Sequence, residues 1–150
     1  MRISTRGEYG LRAMVELALR AGQGPVPLKA IAESQGISEP YLEQLMGTLR
    51  KAGLVNSVRG AQGGYELARR PEQVKAGDVV RALEGPIVPW ECVDESSGAV
   101  CLLTEGCSTR LLWKKLQDAI EAVLDSVTLA DLVEEQQRLR VQGGALLFDI

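Results

Sequence analysis

All three cysteines of the chain stand in one polar stretch, WECVDESSGAVCLLTEGCS at residues 90 to 108, as Cys92, Cys101 and Cys107, and the chain has no histidine. An odd number of thiols cannot all pair, and disulfides are rare in a reducing cytosol, so a structural disulfide framework is not expected. Thiols gathered in a glycine-containing loop point to metal ligation, with free or redox-active thiols as the other reading. Structural zinc normally takes four Cys or His ligands, and only three such residues exist here. Without histidine the commonest general base is missing, and the carboxylates show no paired arrangement, so an enzyme is not expected.

The loop runs from Pro86 to Cys107 and needs elements to hold it. Before it, VKAGDVVRALEG reads as a short helix closed by Gly85. After it comes STRLLWKKLQDAIEAVLDSV, in which Trp113, Leu116, Ile120, Val123 and Val127 are spaced 3, 4, 3 and 4 residues apart. That is the seam of a short coiled coil, or of a helix packed within its own chain. In a symmetric DNA-binding protein such a helix pairs the subunits and sets two recognition helices about 34 Å apart. Thr128 with Asp131 has the form of a capping box opening a last helix, LADLVEEQQRLR.

The front half has a different pattern. STRGEYGLRAMVELALRAG predicts an amphipathic helix with Tyr9, Leu11, Met14, Val15, Ala18 and Leu19 on one stripe, Ser4 or Thr5 as N-cap and Gly22 as stop. PVPLKAIAESQGIS gives a short helix with Leu28, Ile31 and Ala32 inward, ended by Gly36. Ser38 then caps a third helix, with Pro40 in its first turn and Leu42, Leu45, Met46, Leu49 and Leu54 at core spacing. Two helices joined by a glycine-containing turn form a helix-turn-helix. LVNSVRG and GYELAR, separated by GAQGG, read as a β-hairpin directly after it, which makes a winged helix.

DNA chemistry follows from this geometry. The first turns of the third helix can enter a major groove and present Ser38, Tyr41, Glu43 and Gln44. Gln44 suits adenine, and Glu43 accepts from cytosine N4 or repels phosphate. Arg59, beside Gly60 at the wing, suits a narrow minor groove. Arg2, Thr5, Arg6, Arg50 and Lys51 are candidates for phosphate. The net charge of −3 hides an asymmetry: residues 1–70 carry 10 Lys/Arg against 6 Asp/Glu, and residues 71–150 carry 7 against 14. A basic front half can hold a phosphate backbone, since the field of the contacting face matters more than that of the whole molecule.

The organisation expected is a mainly α chain. Residues 1–70 form a winged helix-turn-helix DNA-binding domain; residues 71–140 supply a linker helix, the cysteine loop (86–107) and long dimerisation helices; residues 141–150 form a tail. The charged positions Arg12, Glu16 and Arg20 break any signal-peptide reading of the first residues, and no later run reaches the roughly 18 apolar residues of a membrane span. A cytoplasmic protein is expected.

MRISTRGEYGLRAMVELAL, ISEPYLEQLMGTLRKAGLVNSVRGAQGGYELAR and TLADLVEE together resemble the IscR-type winged-helix regulators of the Rrf2 family, over about residues 1 to 135. The resemblance implies a homodimeric transcriptional regulator that binds double-stranded DNA, with the long helix before the last crossing its partner. It implies that Cys92, Cys101 and Cys107 hold an iron-sulfur cluster, 2Fe-2S in preference to 4Fe-4S, as a sensor of cluster status or of redox or nitric oxide stress. In IscR proper a histidine follows the last cysteine by three residues; this chain has Arg110 there, and a guanidinium cannot ligate iron. Glu8, reaching across the dimer, is the candidate fourth ligand that relatives imply. The loop carboxylates Glu91, Asp94, Glu95 and Glu105, or water, a small thiol or a cellular anion, are the others. The resemblance also makes Glu43 a determinant of site choice. Cluster-free relatives imply an alternative, a regulator of the same fold controlled by a partner protein or by thiol oxidation.

Overall fold

The computed structural model describes residues 2–96, 98, 102, 103 and 105–148, with side chains through Gly143. It is mainly helical. Helix α1 spans Thr5–Leu19, α2 Leu28–Gln35 and α3 Glu39–Lys51; strands β1 (Val55–Val58) and β2 (Gly64–Leu67) follow. Then come α4 (Ala76–Glu84), α5 (Ser108–Ser126) and α6 (Leu129–Phe148), with single 3-10 turns at Pro71–Gln73 and Glu91–Val93.

Helices α2 and α3 meet at the turn that the sequence places there. Gly36 takes the left-handed conformation (φ 67°, ψ 34°), open to glycine without a Cβ penalty, and Ile37 N–H returns to Ala32 O at 3.1 Å. Two residues later Ser38 Oγ accepts from Tyr41 N–H at 3.3 Å, the N-cap of α3. Leu42, Leu45, Met46 and Leu49 are buried along one side of α3, and Leu54 closes the core behind them. β1 and β2 pair antiparallel from Val55↔Leu67 to Val58↔Gly64, and a bridge between Val26 and Tyr65 ties the hairpin to the segment before α2. Helix-turn-helix followed by a two-stranded wing is thus the observed architecture.

Helix α1 departs from its expected stripe. Met14, Val15 and Ala18 are buried as read, but Ala13 and Leu17 are buried too, whereas Tyr9, Leu11 and Leu19 only flank the core. The reason is that α1 is covered by α2, α3, α4 and α6, so several of its faces are occupied. Even Glu16 is buried, its carboxylate paired with Arg20 at 2.9 Å. Close contact with α4 depends on small residues: a Cβ at Gly10 would run into Leu83 Cδ1, and one at Gly7 into the carboxylate of Glu84. Ser4 occupies the N-cap position, but its side chain makes no capping bond within α1. Val74, Val79 and Leu83 around α4, and Leu129 at the start of α6, join the same core as the helix-turn-helix.

The capping box of α6 is present, with Thr128 N–H donating to Asp131 Oδ2 at 2.9 Å and Asp131 N–H to Thr128 Oγ1 at 3.1 Å. The helix continues past Arg140 through Phe148, into the segment read as a tail, and no proline interrupts VQGGALLF. Among the described residues no helix is long and apolar enough to cross a membrane.

Candidate nucleic-acid interface and thiol loop

The start of α1 and the start of α3 lie side by side. Tyr41 Oη donates to Thr5 Oγ1 at 3.5 Å, and the Tyr41 ring meets Tyr9 edge-on, with centroids 6.3 Å apart and planes at 87°. Arg12 stacks its guanidinium 5.4 Å from the centre of the Tyr9 ring. Tyr41 is therefore half-buried and partly a packing residue. Ser38, Glu43 and Gln44 stand exposed on α3, as do Arg2, Thr5 and Arg6 around the beginning of α1.

Arg50 and Lys51 are exposed at the far end of α3, about three turns from Ser38. Arg50 Nη1 donates to Ser57 Oγ on β1 at 3.4 Å, which leans this cation along the wing strand. Arg59 is exposed on the short turn between β1 and β2. Nine of the ten predicted DNA-facing residues thus fall into three groups, the α1–α3 corner, the end of α3, and the wing; Arg2, ahead of α1, borders a groove lined by Glu84, Pro86 and Ile120.

Of the thiols, Cys92 lies half-buried in the turn Glu91–Val93 and Cys107 half-buried at the N-cap position of α5; both are free. Cys101 lies outside the described residues. Cys107 Sγ is 3.2 Å from Thr109 Oγ1. That hydrogen bond, followed by the one from the Arg110 backbone amide, lowers the Cys107 pKa below the ordinary thiol value and favours the thiolate. Arg110 Nε is a buried donor with no hydrogen-bond partner among the described residues.

Among the described residues no three His, Cys, Asp or Glu side chains converge as a metal site. Glu8 stands exposed at a cleft between α1 and α6 shared with Arg12, Gln136 and Arg140, and neither Cys92 nor Cys107 lines that cleft. In the loop, Glu91, Glu95 and Glu105 are exposed, and Asp94 accepts from Ser96 N–H at 3.0 Å and Ser96 Oγ at 2.6 Å.

Helix α5 braces the entry side of this region. Buried Gln117 donates Nε2 to Ile87 O at 3.2 Å, pinning the entry of the loop. Asp125 accepts from Arg81 of α4 through Nη2 at 2.6 Å and Nη1 at 3.4 Å, and that carboxylate raises the Arg81 pKa. Neither partner was signalled in the sequence, since each pair joins residues 30 or more positions apart. The rest of α5 is only partly covered: Leu111, Leu112 and Val123 are 63, 55 and 64% exposed. Ile120, Val123 and Leu124 of α5 also wall an apolar groove of about 520 Å³ facing Ile3 and Ile87. So much apolar surface on one helix is what a subunit interface requires.

Comparison with known proteins agrees with this arrangement. Residues 3–135 match the Rrf2 family, described as iron-dependent transcriptional regulators. The chain is 50% identical over 132 residues to the HTH-type transcriptional regulator CymR of Bacillus subtilis, covering 88% of this chain and 89% of that protein. The solved structure of that CymR, the global cysteine regulator of B. subtilis, superimposes with a TM-score of 0.78 at 49% identity, covering 90% of this chain and 98% of CymR. Escherichia coli IscR (O1:K1 / APEC) is 41% identical over 143 residues, covering 95% of this chain and 86% of IscR. The structure of T. potens IscR gives a TM-score of 0.73 at 50% identity, covering 91% and 88%. These relatives are transcriptional regulators, not enzymes. The chain belongs to the Rrf2 family of transcriptional regulators, which bind DNA and act as dimers.

Proposed function

We propose that the chain is a homodimeric regulator whose hold on DNA answers to an iron-sulfur cluster carried by Cys92, Cys101 and Cys107. The observation that carries this reading is the confinement of every thiol to the loop between α4, which packs on the DNA-reading half, and α5, the exposed apolar helix. The donor set fits such a group in kind. Three sulfur ligands are available, Cys107 is held toward its thiolate form, and Arg110 offers an N–H with no partner among the described residues, of the sort that sulfur acceptors take. When bound, a cluster supplies a centre sensitive to oxidants, nitric oxide and iron supply. Glu8 of a second subunit, or a loop carboxylate, is the fourth donor in this reading.

The chain's own residues do the rest. The Ser38 end of α3 enters the major groove, with Gln44 and Glu43 at base edges, while Arg2, Thr5, Arg6, Arg50 and Lys51 take phosphates and Arg59 enters the minor groove beside it. Arg59→Ala should cost about 1–3 kcal/mol of binding and blunt any preference for A/T pairs under the wing. Footprinting on duplexes differing only at those pairs checks this. For the sensing claim, protein reconstituted anaerobically with ferrous iron and sulfide is compared with chelator-stripped protein on one duplex. A difference in affinity of about fivefold or more is expected, the scale of ordinary coupling between sites; equal affinities would contradict the proposal.

A second reading keeps the fold and drops the cluster. The replacement of the IscR-type histidine by Arg110 and the 50% identity to CymR favour it. In that reading a partner protein or oxidation of the thiols sets DNA binding, and stripping iron changes nothing.

A further inference from the structure

The residues that lead into α1 have no regular structure of their own: residues 2–4 belong to no helix or strand, and Ser4 is extended at φ −74°, ψ 168°. Arg2 and Arg6 flank this segment, so its placement decides where two cations meet DNA. What holds it comes from elsewhere in the chain. Glu84, the last residue of α4, accepts through Oε1 from Ser4 N–H at 2.9 Å, from Ser4 Oγ, and from Gly7 N–H at 3.1 Å. A single carboxylate oxygen thus fills the role that a helix's own N-cap side chain usually fills, and its charge faces the positive end of α1.

Three features make this contact more than a surface cap. Gly7 is buried, and its missing side chain leaves room for the carboxylate. Thr5, between the two anchored residues, carries the hydrogen bond to Tyr41, so a shift of the segment reaches the recognition helix. Glu84 is followed by Gly85, Pro86 and then Ile87, whose carbonyl accepts from Gln117 of α5, and α4 is tied to α5 through Arg81 and Asp125.

We propose that Glu84 is a positioning residue for DNA binding: it sets the N-terminal segment so that Arg2, Thr5 and Arg6 reach phosphate. This rests on the assignment of those three residues to the DNA face.

The test is a mutant cycle on the full-length dimer, with a duplex enriched by the wild-type protein from a random library as the probe. Glu84→Ala should weaken binding about tenfold and lower the slope of log affinity against log salt by about 0.9 for each phosphate no longer held. Glu84→Gln keeps an oxygen at Oε1 and should recover most of the affinity. In an Arg2→Ala/Arg6→Ala background, Glu84→Ala should weaken binding by only about twofold, because of the three groups it positions only Thr5 remains. A tenfold loss that persists in that background, or an unchanged salt slope, would overturn the proposal and leave Glu84 as a stabilising cap. If Arg2→Ala/Arg6→Ala alone left affinity and slope unchanged, the DNA-face assignment itself would fall, and the proposal with it. Should Glu84→Ala not fold, Gly7→Ala displaces the same carboxylate, and the same cycle applies to it.

Discussion

Val123→Glu should convert the protein to a folded monomer and weaken DNA binding by about 100-fold or more. Val123 is 64% exposed in the single chain, so a carboxylate there meets water and leaves the core of Leu42, Leu45, Met46 and Leu49 untouched. In a two-fold dimer built on α5 the same position is desolvated, and symmetry introduces two charges into one interface. The effective penalty for burying an unpaired ion is several kcal/mol, and each 1.4 kcal/mol is about tenfold in the dimer dissociation constant. DNA affinity follows because two linked recognition helices exceed one by a factor of about 10² to 10⁴. Sedimentation and fluorescence anisotropy at matched concentrations check both halves. A Val123→Glu protein that stays dimeric at micromolar concentration would remove α5 from the interface.

Replacing Cys92, Cys101 and Cys107 together by serine should abolish the response to iron while leaving the fold intact. The described members of the trio, Cys92 and Cys107, are only half-buried and outside the hydrophobic core, so the stability change should stay within about 0.5 kcal/mol, the range of ordinary surface substitutions. Serine oxygen is a poor substitute for thiolate toward iron, so the reconstituted and chelator-stripped forms of the variant should bind the same duplex alike. If instead the serine variant still showed the full difference seen with wild-type protein, sensing would have to reside outside the loop.

The helix-turn-helix and wing were legible in the sequence because local chemistry dictates them. Gly36 permits the left-handed turn, Ser38 caps α3, and glycines separate two short strand-forming runs. Long-range contacts were not legible. Nothing near Ser4 announces that its cap is Glu84, 80 residues away, or that Glu16 is buried under neighbouring helices. Tyr41 reads as a groove residue from its place on α3, yet its ring packs on Tyr9, because α1 and α3 start at the same corner. For the thiols, the sequence supplies the donor set but not its geometry. The described loop holds only one 3-10 turn, so residue spacing fixes no angle between the sulfurs. Exposure divides the heptad seam: Trp113, Ile120 and Val127 are partly covered within the chain, whereas Leu116 and Val123, with Leu111 and Leu112 outside the seam, stand exposed.

The most direct test of cluster sensing is the iron and acid-labile sulfide content per chain, with a visible absorption spectrum, of protein purified without oxygen, alongside Cys107→Ala. Near-stoichiometric iron and sulfide in the wild-type protein, lost in Cys107→Ala, is the predicted result. Absence of iron and sulfide from both proteins, even after reconstitution, would contradict it and favour control by a partner protein or by thiol oxidation.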